Sequence, residues 1–174
     1  MRKPIISELS KLKRKKKMNL RIYIAIAALV LISSVAVLGA EPKIVTDALS
    51  SAEWISKALI SSGYKADFSL DSLREIDRFF EEQAADGKAK AGGLLSEKPG
   101  QRIFGIGAYV GEVIRRKFGG KWEGNDADPQ AEINISLKLS SGATVWPVQR
   151  VMKRLKNGGE DGIYAYGALI VRTE

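Results

Sequence analysis

The sequence predicts an α+β domain of about four to five helices packed on a small antiparallel sheet, preceded by an N-terminal apolar export helix. Three observations predict this. An uncharged run of 17 residues, Ile22 to Leu38, follows a block of cations. Apolar residues then recur at helical spacing through several segments, and one later stretch switches to strict alternation. Helices, then a hairpin, then helices again is the order of an α+β domain rather than of βαβ repeats.

Residues 1–21 form the basic n-region. They hold nine basic side chains (Arg2, Lys3, Lys11, Lys13, Arg14, Lys15, Lys16, Lys17, Arg21) and one acid, Glu8. Of the chain's 28 basic and 20 acidic residues this leaves 19 of each, so the formal net charge of +8 resides in this block. A neutral remainder has no charge to drive binding to phosphates, and no nucleic-acid partner is expected. Residues 22–40 read as a signal-peptide h-region or as a membrane anchor. Gly39-Ala40 before Glu41-Pro42 resembles a signal-peptidase site, while the run is also just long enough to cross roughly 30 Å of hydrocarbon. Translation from Met18 gives an n-region and h-region of ordinary size. In both cases the cations stay cytoplasmic, and the rest of the chain is expected to be periplasmic or secreted, or anchored in the inner membrane with its domain outside the cytoplasm.

Residues 41–174 are then a single globular domain, long enough to bury a core. It contains no Cys and no His. That removes disulfides, Cys and His nucleophile systems and His-zinc centres. No cofactor or metal is expected, and any catalysis would rest on Asp, Glu, Lys, Arg, Tyr or Ser.

Along this domain, Val45, Ala48, Leu49, Ala52, Ile55 and Leu59 make the first helix, stopped at Ser62-Gly63. Ser72-x-x-Glu75 reads as a capping box opening a second helix with Leu73, Ile76 and Phe80 inward. Asp86 to Gly100, rich in Gly and Lys, reads as a mobile loop. A third helix spans about Ile103 to Phe118 and ends at Gly119-Gly120. Glu132 to Leu139 alternates and reads as a strand, turning at Ser140-Ser141-Gly142 into a return strand, Ala143 to Trp146. Pro147 opens a fourth helix with Val148, Val151, Met152 and Leu155 inward, closed by Asn157-Gly158-Gly159. For Ile163 to Val171 a final helix capped by Asp161 is the preferred reading, a strand the alternative.

Glu112, Arg115 and Arg116 stand at i, i+3 and i+4 and share a helical face. Guanidinium groups there suit carboxylates or phosphates. Gly107 and Gly111 each cost a helix about 1 kcal/mol relative to Ala, which implies close approach of a backbone or ring. Arg150, Lys153, Arg154 and Lys156 are expected on the outer side of the fourth helix. Gly105-x-Gly107 is followed by Val110 where a dinucleotide fingerprint needs glycine. Asp126, Asp128 and Glu132 flank Pro129 without the spacing of a calcium loop.

The segments GIGAYVGEVIRRKFGGKWE and PVQRVMKRLKNGGEDGIYAY resemble a family of small bacterial α+β domains of unknown function. In those, a helix of the form G-x-Y-x-G-E-V-x-R-x-x-G-G-x-W precedes a P-x-x-x-V-x-K-R-L-x-N-G segment. Here the first falls on Gly107, Tyr109, Gly111, Glu112, Val113, Arg115, Gly119, Gly120 and Trp122, with spacing that departs between Arg115 and Gly119. The second falls on Pro147, Val151, Lys153, Arg154, Leu155, Asn157 and Gly158. The likeness covers residues 69–170 and implies a fold and a shared surface but no activity; some such domains resemble immunity proteins that block toxins.

The expectation from these residues is an exported or membrane-anchored, non-enzymatic binding module that engages a protein partner or an anionic envelope ligand. Glu112, Arg115, Arg116, Trp122, Lys153 and Arg154 are its candidate binding residues. The alternatives are an envelope hydrolase with Glu112 or Glu123 as acid/base, or an immunity-type or scaffolding protein. The membrane is a further partner if residues 22–40 are not cleaved.

Overall fold

A computed structural model of the chain describes residues 40–173, with side chains through residue 170. Residues 1–40 and 41–174 are separate units, and the basic block and the apolar run lie outside the described residues. Among those described, no helix is long and apolar enough to cross a membrane.

Chain order is α1 (Lys43–Ser61), α2 (Ser72–Gln83), β1 (Ala84–Ala85), β2 (Lys88–Ala89), α3 (Pro99–Phe118), β3 (Lys121–Glu123), α4 (Ala131–Asn134), β4 (Ser136–Lys138), β5 (Thr144–Val145), α5 (Pro147–Asn157), a 3-10 turn (Gly158–Asp161) and α6 (Ile163–Thr173). The α+β class is therefore realised with six α-helices and two small antiparallel sheets among the described residues. One sheet is the β1-β2 hairpin and the other has the order β3-β4-β5.

The core forms around α3, whose residues from Ile103 to Ile114 are all buried. Helices α1 and α5 both pack on it, while α6 packs on α2. A helix surrounded by neighbours has to be slim where they touch it, and its glycines mark those places. A Cβ on Gly107 would lie 2.6 Å from the Val148 Cα of α5, and one on Gly111 would lie 2.1 Å from the Trp122 ring. The helix ends at Gly119 and Gly120, with φ of 70° and 120°, conformations that L side chains adopt at a steric cost. This turn feeds the chain into β3, where Trp122 pairs in register with Leu137 of β4. The indole thereby folds back onto the helix it has just left. Tyr109, fully buried, bonds through its hydroxyl to Ser72 Oγ and accepts the Phe68 N–H, tying α3 to the start of α2.

These contacts give a direct test. Gly111→Ala improves helix propensity by about 1 kcal/mol but drives a methyl into the Trp122 ring, an overpacking that costs about 1–3 kcal/mol. The expected net result is a lower Tm with red-shifted tryptophan emission. Gly100→Ala, facing open space on the same helix, should leave the Tm level or slightly higher.

Several expectations need correction. Glu132 to Leu139 is not one strand. Asp128 accepts the Gln130 N–H and the Asn134 side chain, and Asn134 N–H bonds back to Gln130, closing a turn of helix before Ser136. Strand β3 is only three residues long and faces Ser136 with Glu123, so nothing pairs residues further back. The capping box does not form. Ser72 lies inside the helix and donates to Ser69 O, while Glu75 takes Arg78 and the Lys65 N–H. The segment after Asp86 is not all loop: Asp86-Gly87, both at positive φ, closes the β1-β2 hairpin, and α3 begins already at Pro99. The last segment is a helix, yet its cap is Asp77 of α2 rather than Asp161, which pairs with Arg150 and Asn157.

Candidate functional site

The arginine-bearing face of α3 is built around Glu112, whose side chain is only 3% exposed. Its carboxylate receives Arg115 in a fork, Nε at 2.6 Å and Nη2 at 3.0 Å, and the Trp122 indole N–H at 2.8 Å. Arg116 adds a longer contact at 3.4 Å, then reaches Glu53 of α1 at 2.6 Å and lies over the Phe68 ring. Burial by itself pushes the Glu112 pKa up and is the largest single effect. The hydrogen bonds from Arg115 and Trp122 and the charges of Arg115 and Arg116 together outweigh it, holding the carboxyl below its ordinary 4.5. A carboxylate that is buried, ionised and held by three donors is spent on structural bonds. It serves as a tie between α3 and β3.

Arg154 is likewise internal. It is 4% exposed and donates to Asp77 Oδ1 at 2.8 Å and Asp77 O at 3.1 Å, with Glu81 at 3.5 Å. Asp77 uses the same carboxylate to accept the N–H groups of Ile163 and Tyr164, so one acid joins α2, α5 and the first turn of α6. Arg150 is half-buried, bonded to Asp161 and the Gly162 carbonyl. The outer cationic side expected for the fourth helix is therefore reduced to its two lysines. Of the six candidate residues, the fold unites Glu112, Arg115, Arg116 and Trp122, buries Arg154 in a separate ion pair, and leaves Lys153 exposed elsewhere.

Lys153 stands on the rim of a cleft of about 660 Å³ that the sequence reading missed. Its walls are the start of α3, the outer side of α5 and one edge of α4, supplying Pro99, Ile103, Phe104, Ile133, Val148 and Met152. Met152, expected inward, is 40% exposed here, whereas Val148 packs on Gly107 of α3 and Val151 is fully buried. Lys153 and Lys156 line the cleft, Lys156 with its backbone against Gly87 of the hairpin turn, and Glu132 and Gln149 line it where Gln149 bonds Asn134 of α4. An apolar hollow of this size with few polar groups at its edge is the usual form of a small-molecule or partner site. Its only signal in the sequence was Met152 one residue beyond Val151, too many apolar positions for one narrow helical stripe.

A second hollow, about 420 Å³, lies over α2 and α6. Its charges satisfy one another: Arg78 pairs with Glu75 and Glu82, Arg154 with Asp77, and Arg74 lies 3.4 Å over the Tyr164 ring. The loop acids are similarly occupied, Asp126 by the first N–H groups of α1 and Asp128 by α4. Among the described residues no group of three or more acids is arranged to hold a metal ion.

Fold and cleft together define, among the described residues, an α+β domain that carries a predominantly apolar, lysine-edged hollow. No protein-family model, curated protein or solved structure matches the chain.

Proposed function

We propose that residues 41–174 act as a non-enzymatic binding module, exported or held at the membrane by residues 22–40, that engages a protein partner or an anionic envelope ligand through the cleft between α3 and α5. The observation that carries this reading is the cleft itself, apolar within and edged by two lysines that enter no ion pair among the described residues. The arginine face is the weaker candidate for the contact, since its carboxylate and much of its guanidinium capacity are spent inside the fold. The neutral charge of the domain and the cation block ahead of the apolar run support an envelope location.

A photo-crosslinking experiment tests both halves. Benzoylphenylalanine is placed at Met152 in the full chain, with the exposed Lys117 as the control position, and the protein is irradiated in bacterial cells. A discrete adduct from position 152 alone, on protein recovered from the envelope fraction, is the expected result. Equal labelling at both positions, or none at either, would sink the cleft as the contact, and recovery from the cytosol would sink export.

A further inference from the structure

We propose that the cleft takes the hydrocarbon chain of a single-chain anionic amphiphile, such as a long-chain fatty acid, with its headgroup at Lys153 and Lys156. The inference rests on the binding reading above and names its ligand.

The walls of the cleft decide against a peptide. An extended peptide gains affinity by pairing its backbone with a sheet edge, but these walls are chiefly helices and offer no strand edge to pair with. The remaining polar side chain among them, Gln149, leans toward Asn134 at 3.4 Å. A bound amphipathic helix needs a groove several turns long, and this one is bordered by other elements at both ends. At one end the hairpin turn presses on α5, so that a Cβ on Gly87 would lie 3.1 Å from the Lys156 carbonyl. At the other end α4 meets α5 through Asn134 and Gln149. A flexible hydrocarbon chain asks for no hydrogen bonds and follows a short apolar hollow. At about 660 Å³ the space falls within the roughly 300–1,000 Å³ usual for small ligands.

Charge sets the direction. Arg150 and Arg154 on α5 are consumed by Asp161 and Asp77, whereas Lys153 and Lys156 are exposed and enter no ion pair among the described residues, Lys156 lying against the hairpin turn and Lys153 about one helical turn before it. Glu132, at the α4 end, repels an anionic headgroup. The chain therefore runs from the lysines toward α4.

The test uses the full chain held in phosphatidylcholine nanodiscs and a palmitate carrying a diazirine on its chain. Irradiation should give one adduct per protein, mapped to the peptides that hold Ile103 and Met152. Unlabelled oleate should compete at least tenfold better than oleyl alcohol. Lys153→Ala with Lys156→Ala, both exposed positions, should weaken oleate competition about tenfold and leave that of oleyl alcohol unchanged. Gly100→Trp, at a position with open space around it, should fill the hollow and abolish labelling while the Tm holds. Adducts spread over the surface, or cleft labelling indifferent to the lysines, would overturn the proposal; the second result would leave an apolar binding cleft intact. A protein adduct from position 152 in cells, with no palmitate adduct in nanodiscs, would overturn the lipid assignment alone.

Discussion

Glu112→Ala is expected to lower the stability of the domain by about 3–5 kcal/mol, the usual cost of removing one partner from a buried ion pair. The substitution leaves the Trp122 N–H buried without an acceptor, frees the Arg115 fork, and opens a hole beside Gly111. For a domain of this size the Tm should fall by on the order of 10 °C or more, with red-shifted Trp122 emission. Glu112→Gln keeps an acceptor for the indole and should lose less. The sign of the pH dependence follows from the lowered pKa. Stability from this group is fully present above its unfolded value near 4.5 and is lost as pH falls through the lower folded value. Wild type should therefore lose more stability on acidification below about pH 4.5 than Glu112→Gln does, in urea titrations at each pH. Parallel loss in the two proteins would show that the carboxylate is not what holds β3 to α3. Arg115→Ala also weakens this tie, so a loss of binding in that variant has to be read together with its Tm.

Asp77→Ala has the second large effect. Arg154, 4% exposed, loses the carboxylate that neutralises it, and the first N–H groups of α6 lose their cap. The expected cost is again about 3–5 kcal/mol, but distributed differently from that of Glu112→Ala. Hydrogen exchange should rise first in α6, which packs mainly on α2, and later in α3. Combining Asp77→Ala with Arg154→Met removes the stranded charge and should recover a good part of the loss, since the buried guanidinium rather than the missing contact carries most of the cost. A double variant no better than Asp77→Ala would assign the effect to the cap instead.

Neither of these nodes was visible as such in the sequence, although parts of each were. The i, i+3 and i+4 spacing put Glu112, Arg115 and Arg116 together correctly, because helical neighbours are a local property. That Glu112 is buried depends on Trp122 arriving from β3, which needs the Gly119-Gly120 turn and the pairing with Leu137. Arg154 looked like an outward cation because helical periodicity alone does not say what lies opposite; its partner is 77 residues away. The hairpin at Asp86-Gly87 was missed because strands of two residues show no alternation. The strand expected from Glu132 was drawn too long because alternation does not report whether a partner strand reaches that far.

By itself the sequence determined the class of the domain, the helices α1, α2, α3 and α5, the β4-β5 turn, and the absence of thiol and imidazole chemistry, and it favoured a helix over a strand for α6. These follow from composition and from periods of two and 3.6 residues, which each segment expresses alone. Gly107 and Gly111 also announced close approach of a backbone or a ring, because a glycine inside a helix has a local cost that packing must offset; which one each meets was set by the fold. Only the tertiary structure decided which charges are spent and which are free. A side chain's partner is set by the element that packs across from it, and that is how Arg154 was drawn into the fold while Lys153, its neighbour in the chain, was left at the edge of the cleft.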